Sequence, residues 1–466
     1  MHKNLSFIFN GYESGLEKGE IFFHFGFKGK KDIDFTEKIT FPPVTGKIPQ
    51  ALLESLLDNL MLILGISYWK LYAPSDIVIE NNFLSKEQAE FWNTVYTKGL
   101  GEFFYKNKID FRNLVHFPFA ENFEKPISFP RKNRSLLGLG GGKDSIVAAE
   151  ILKAQNKKFD LFTVNTSEIQ EEVASEIGKK PILMKRELDP KLFNLNKSNT
   201  FFLRGIEPTQ KKKPPNPHSK LRGFKKVLDK EKGLPGNAGA QASGRRGTYN
   251  GHVPISVVYG FFGLMVSIFY DYRQIVVGNE KSANYGNVEY LGEVINHQWS
   301  KSEEFENLFS EYVQKFITPD ISYYSLLRSM SELEVAREFV KYPKYFKVFS
   351  SCNKNFKILK PSFAKASVDR QVKNEKIRWC GKCAKCLFVF ISLAAFIPKK
   401  EVVDIFGKNL FEDASLLSLF EELIGKRNFK PFECVGTPEE IKEALGQIAE
   451  KGESSKTALM KHFKNP

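Results

Sequence analysis

A short apolar run, Arg134–Leu139, leads directly into Gly138-Leu139-Gly140-Gly141-Gly142-Lys143-Asp144-Ser145, and Ser145–Gln155 continues at helical spacing. Three successive glycines let backbone N–H groups approach an anion without side-chain clash. The helix that follows adds the positive end of its dipole. Phe159–Val164 then reads as a second buried strand. Strand, glycine loop, helix and strand in that order commit the middle of the chain to a βαβ unit and a parallel sheet. Pro181–Met184 and Gln274–Gly278 read as third and fourth strands. The apolar stretch His252–Tyr270, with Pro254 in its first turn, reads as the crossover helix between them.

The 466 residues are enough for two or three domains. The expected fold class is α/β: a parallel sheet carrying the glycine loop, an N-terminal α+β domain, and a mostly helical C-terminal region. The boundaries fall at 1–130, at 131–300 with an inserted loop 204–249, and at 301–466. In the first region Phe22–Phe27 reads as a strand, Ile48–Ser67 as a helix, and Ser85–Lys106 as a helix capped by Ser85. This region shows no chemistry and is expected to shape a substrate site. From Ser322 onwards the pattern turns helical, with Ser331–Phe339, Cys380–Phe396, Glu401–Phe406 and Ser415–Ile424 as helices and a frayed tail. Residues 204–249 and 361–376 are polar and aperiodic and read as surface loops.

The net charge of +15 invites a nucleic-acid partner, but its distribution argues against one. Arg204–Gly247 alone holds twelve basic and three acidic residues, a net of +9, so the rest of the chain is only weakly basic. No apolar leader is seen at Met1–Gly15, and Val253–Tyr270 suits a buried helix better than a membrane span. The expected location is the cytoplasm, with no membrane partner.

Lys143 can neutralise phosphate charge, Ser145 can donate a hydrogen bond and Asp144 can hold Mg²⁺. The bland alternative is a glycine-rich turn. The spacing is neither the dinucleotide fingerprint nor the Walker loop. A second constellation is Cys380-Gly381-Lys382-Cys383-Ala384-Lys385-Cys386, with Cys352 upstream. Four thiolates can wrap a structural Zn²⁺, or an iron–sulfur cluster; reduced core cysteines are the alternative. Polar residues also gather at expected strand ends, among them His252, Glu280, Lys281, His297, Lys301, Arg328 and Cys434. Glu280, just beyond the Gln274–Gly278 strand, can share Mg²⁺ with Asp144.

The loop 140–145 resembles the Ser-Gly-Gly-x-Asp-Ser loop of the PP-loop ATP pyrophosphatases, with Gly140 where that pattern has Ser. The resemblance implies ATP bound by Gly140, Gly141, Gly142, Lys143, Asp144 and Ser145, with Asn165 at the end of the second strand lining the adenine pocket. More of the chain resembles the UDP-N-acetylmuramoyl-L-alanyl-L-glutamate epimerase family. The residues that carry this are 140–145, Asn-Gly-His-Val-Pro (250–254), Asn-Glu-Lys-Ser-Ala (279–283), Asn-His-Gln-Trp-Ser-Lys (296–301), Tyr-Ser-Leu-Leu-Arg (324–328), Trp-Cys-Gly-Lys-Cys-Ala-Lys-Cys (379–386) and Lys-Pro-Phe-Glu-Cys-Val-Gly (430–436). The loop 204–249 departs from the family pattern.

That resemblance implies inversion of the terminal L-Glu of UDP-MurNAc-L-Ala-L-Glu through an acyl-adenylate, with ATP converted to AMP and diphosphate. The expected acid–base residues are His252, Glu280, His297 and Cys434. Lys281, Lys301 and Arg328 are expected to bind substrate carboxylate or diphosphate, and Cys352, Cys380, Cys383 and Cys386 to hold zinc. The rival readings are another PP-loop enzyme, such as a tRNA-modifying or 7-cyano-7-deazaguanine synthase-like enzyme, and a non-catalytic nucleotide-binding or nucleic-acid-binding module.

Overall fold

The N-terminal strands are β1 (Ser6–Gly15), β2 (Glu20–Lys28), β3 (Ile33–Thr40) and β4 (Asp76–Ile79). Every second residue of β2 is buried apolar surface, and Phe7, Phe9, Phe23, Phe25, Phe27 and Phe35 are all out of water. Each such ring contributes roughly 1.5–3 kcal/mol of burial. They pack under the helix Gln50–Trp69. That helix alone, among the described residues, is long and apolar enough to cross a membrane, yet 78% of its apolar window is buried inside the protein, as in a core helix. The computed structural model describes residues 5–80, 84–121, 125–202, 249, 251–354, 378–427 and 429–464. The expected loop 361–376, and 204–249 apart from Tyr249, lie outside the described residues.

The middle of the chain supplies β5 (Ser135–Gly138), β6 (Phe159–Val164), β7 (Ile182–Glu187) and β8 (Gln274–Val277). A hairpin of β9 (Val288–Tyr290) and β10 (Glu293–Ile295) follows, then β11 (Ser322–Ser325). The main sheet has nine strands in the order β11-β8-β5-β6-β7-β3-β2-β1-β4. From β11 to β7 all pairs are parallel, as the strand–helix alternation requires. Beyond β7 the sheet becomes an antiparallel meander, with β4 parallel to β1 at the far edge.

The two parts of the sheet meet where Ile39 pairs with Arg186. There the Arg186 Nε donates to the fully buried Glu37 at 2.6 Å and its Nη2 to the Ser67 hydroxyl at 2.9 Å. Burial raises the Glu37 carboxyl above its ordinary value, and Arg186 opposes that rise.

Alternate strand residues face two separate cores. Leu136, Phe162 and Ile275 join the core under the helices Ile255–Tyr270 and Glu303–Phe316. Leu137, Leu161 and Val276 join the core formed with the helix Lys143–Ala154 and the C-terminal helices. Among the latter are Glu332–Phe339, Ala384–Ala394 and Pro438–Lys451. Two readings of the tail change. Ser322–Ser325, where the sequence pattern turns helical, instead pairs with β8 as an edge strand. The final stretch forms a helix, Ala458–Lys464, that buries Leu459 and Met460.

Candidate active site

The strand β5 lies between β6 and β8, so the chain departs from it in opposite directions and leaves a crevice at its carboxyl end. The glycine loop lines that crevice. Gly141 has φ +82°, a region open to glycine at little cost, and its carbonyl accepts from the Ser350 N–H at 3.1 Å. A Cβ on Gly142 would sit 2.5 Å from the Ser351 hydroxyl. Ser145 donates to the Gly142 carbonyl at 3.1 Å and closes the first turn of the helix.

Lys143 is fully buried, and its ammonium pairs with Asp144 and with Glu332 at the start of the Glu332–Phe339 helix. Burial works against its charge, but the two carboxylates outweigh burial and raise its pKa. Asp144, Glu280 and Glu332 each place a carboxylate oxygen within 4.8 Å of the others. Glu280 is pushed up to about 7, first by burial and then by the neighbouring Glu332 and Asp144 charges. Its Oε1 is buried and has no hydrogen-bond partner among the described residues. Three hard oxygen donors, one of them unsatisfied, could hold a divalent cation such as Mg²⁺. Nothing in the sequence marks Glu332, because an acidic residue in the first turn of a helix is ordinary there.

A second cluster adjoins the first through Lys301. The Lys301 ammonium reaches the Cys434 Sγ at 3.4 Å, and its pKa is raised by Cys434 and, against burial, by Glu280 and Asp144. Burial pushes the Cys434 thiol up, yet Lys301 and a hydrogen bond with His297 outweigh it and bring the thiol down to about 6. Burial disfavours charge on His297, but its hydrogen bonds to Cys434 and Glu102 raise it to about 9. Cys434 and His297 therefore form a thiolate–imidazolium pair at neutral pH. His252 stands beside them, its ring centroid 4.7 Å from that of His297. Burial and then the His297 charge depress it to about 3, so it is a neutral imidazole. The N-terminal region, in which no chemistry was read, contributes Glu102 to this cluster. Its signal is a carboxylate set against Phe103 and Phe104 in a buried helical turn.

The remaining expected residues are placed differently. Arg328 donates to Glu306 at 2.6 and 3.0 Å and to the carbonyls of Glu280 and Lys301 at 3.0 and 2.8 Å, so it ties the two clusters together. Lys281 is exposed, with its N–H bonded to the Met330 carbonyl. Asn165 has φ +50° and exchanges two hydrogen bonds with the Arg186 backbone, at 2.8 and 3.0 Å. It links the end of β6 to β7. Asn250 lies outside the described residues.

The sulfurs of Cys352, Cys380, Cys383 and Cys386 all lie within 4.8 Å of one another, with Cys386 at 3.6 Å from Cys380 and 3.4 Å from Cys383. A tetrahedral Zn–S site has sulfurs ~3.8 Å apart, whereas an iron–sulfur cluster spreads them wider. The Cys380 N–H points at the Cys352 sulfur and the Lys382 N–H at the Cys380 sulfur, both at 3.4 Å, as thiolate acceptors demand. The site adjoins the glycine loop, since Ser350 bonds Gly141 two residues before Cys352. On its other side Cys383 is the N-cap of Ala384–Ala394, which carries Lys385 to within 3.5 Å of Glu332.

Two family models match the chain: the MurL N-terminal domain over residues 1–202 and 240–326, and the MurL C-terminal domain over 348–466. The chain is 34% identical to the UDP-N-acetyl-alpha-D-muramoyl-L-alanyl-L-glutamate epimerase of Xanthomonas oryzae pv. oryzae, over 88% of its own length and 78% of that protein's. It is 32% identical to the protein of the same name from Micromonospora sp., over 96% and 87% of the two chains. For the one from Salinispora tropica the identity is 31% over 96% and 85%.

Proposed function

The chain belongs to the MurL epimerase family, and from that premise we propose that it epimerises the terminal L-glutamate of UDP-MurNAc-L-Ala-L-Glu to D-glutamate, with ATP converted to AMP and diphosphate. The observation that carries the reading is the contact of two clusters across Lys301: a glycine loop with three carboxylates on one side, a thiolate–imidazolium pair on the other. On this reading the glycine loop works as a PP-loop.

The chemistry needs both. An α-proton beside a free carboxylate is very weakly acidic, because the carbanion would form next to an anion. Attack of the α-carboxylate oxygen on the α-phosphorus of ATP expels diphosphate and leaves an acyl-adenylate, in which the carboxyl group has lost its charge and withdraws electrons. Backbone N–H groups of Gly140–Gly142 and the helix start at Lys143 would bind the nucleotide phosphates. Asp144, Glu280 and Glu332 would hold Mg²⁺, which supplies charge neutralisation at those phosphates.

Cys434 then accepts the α-proton as a thiolate, with Lys301 close enough to stabilise the developing enolate oxygen. His297 is hydrogen-bonded to Cys434, so the two cannot straddle one carbon. Return of a proton on the opposite face falls to His252, since Glu280 is committed to the cation. Hydrolysis of the adenylate restores the carboxylate. The four-cysteine site fits one structural Zn²⁺ that would brace the Ser350–Cys352 segment against the glycine loop.

The test is incubation with Mg-ATP and UDP-MurNAc-L-Ala-L-Glu, reading AMP and the chirality of the recovered glutamate. AMP together with D-glutamate is expected. AMP without D-glutamate would refute the epimerase assignment and keep the nucleotide chemistry.

A further inference from the structure

Glu102 belongs to a short helix, Gly101–Asn107, far in sequence from every residue discussed as reactive. It is 5% exposed, and both of its carboxylate oxygens are engaged. Oε1 pairs with Lys106 one turn on. Oε2 accepts from His297 Nδ1, and His252 Nδ1 lies 3.3 Å from the same oxygen. With Nδ1 engaged by Glu102, the same His297 side chain is hydrogen-bonded to Cys434. An imidazole held between a buried acid and a thiol favours the ionised cysteine.

We propose that Glu102 is a positioning residue of the epimerisation centre, completing a Glu102–His297–Cys434 relay that fixes the His297 ring and keeps Cys434 a thiolate. The proposal rests on the reading of Cys434 as the proton-transfer group. Two imidazoles share one carboxylate, and the geometry divides their labour. His297 lies between Glu102 and Cys434 and carries the charge. His252 touches Glu102 alone of the two and stays neutral, free to exchange a proton with substrate.

The direction of the effect follows from the surroundings. Burial pushes Glu102 up, but His297, His252 and Lys106 together hold it at about 2, so it is ionised wherever the protein is folded. The other charged groups facing the relay are Lys70 and Lys106 near His252 and Lys301, Lys385 and Lys430 near Cys434. All are cations, so the imidazolium is favoured by Glu102 and by the Cys434 sulfur. Removing the Glu102 charge leaves burial and those cations set against the sulfur alone, so His297 holds its proton less firmly and the thiolate's hydrogen-bonding cation is weakened.

The decisive variant is Glu102→Gln, which keeps size and an acceptor but no charge. The pH midpoint of Cys434 alkylation by iodoacetamide, read by mass spectrometry of its peptide in metal-loaded protein, should rise by about one unit or more. kcat should fall by about tenfold with KM little changed, and Glu102→Asp should restore part of both. An unchanged midpoint in folded Glu102→Gln overturns the proposal. If that variant does not fold, Glu102→Asp, which withdraws the carboxylate by one methylene, is read in the wild-type and His297→Asn backgrounds. An upward shift in the first that disappears in the second supports action through His297; no shift, or the same shift in both, overturns it. Alkylation is read without substrate, so failure of the wild type to form D-glutamate would refute the epimerase reading without touching this result.

Discussion

Replacing Lys301 by Met removes one charge and nearly nothing else in volume, and the structure sets the size of the effect. The ammonium stands 3.4 Å from the Cys434 sulfur. At an effective dielectric near 20 two unit charges at that distance attract by about 5 kcal/mol, a ceiling of about 3.5 pKa units. Cys434 is only partly shielded from solvent, so a working value is about 2.5 units. The thiol is an acid whose pKa is depressed to about 6, so the wild-type thiolate is fully formed above that pH and lost below it. In Lys301→Met the midpoint moves to ~8.5, the thiolate fraction at pH 7.5 falls to ~10%, and kcat/KM falls by ~10-fold there while recovering to within ~2-fold at pH 9.5. The assay is a pH–rate profile of glutamate epimerisation, paired with Cys434 alkylation in the absence of nucleotide. The second measurement separates the thiol from Glu280 and Asp144, which also face Lys301. A profile that drops by the same factor at every pH, with an unmoved alkylation midpoint, would refute the argument and leave Lys301 as a substrate-binding charge alone.

Three further outcomes are expected. Gly278→Ala would place a Cβ 2.8 Å from the Asp144 carbonyl oxygen, so the helix start must move; about 1–3 kcal/mol of stability and much of the ATP affinity should be lost, and an unchanged Tm with normal ATP titration would contradict this. Arg186→Met strands the buried Glu37 carboxylate at the β3–β7 seam and should cost about 3–5 kcal/mol in denaturant unfolding, with Glu37→Gln/Arg186→Met recovering part of it; a double variant no better than the single would count against the pairing. Removing metal with a chelator, or Cys383→Ser, should abolish AMP release as well as lower Tm, because the same segment braces Gly141; zinc loss with ATP turnover intact would break that link.

Much of the parallel half was legible because its signals are local. The glycine loop, the Ser85 and Ser331 capping patterns and the apolar run that became Ile255–Tyr270 each announce themselves within a dozen residues. The four cysteines were legible through their spacing and do converge. What escaped depends on partners far along the chain. Ser322–Ser325 is a strand only because β8 has a free edge beside it. The pairing of β3 with β7 carries the sheet across residue 130, and no periodicity in either strand foretells it. Arg328 read as a substrate anchor, and only the position of Glu306 shows where its guanidinium goes. Glu102 has no motif around it and acquires its meaning from two histidines in the middle of the chain.

Glu102 and His297 meet across 195 residues of sequence, and Lys301 and Cys434 across 133. Contacts of such long range form late, since the loop they close must first lose its freedom. The ionised thiol is therefore a property of the finished tertiary structure and of none of its parts. A nascent or misassembled chain in which those distant partners have not met has no base with which to follow activation. Selective labelling of Cys434 at pH 7 accordingly reports the proportion of completely assembled molecules in a refolding mixture, and it does so without any nucleotide or sugar present.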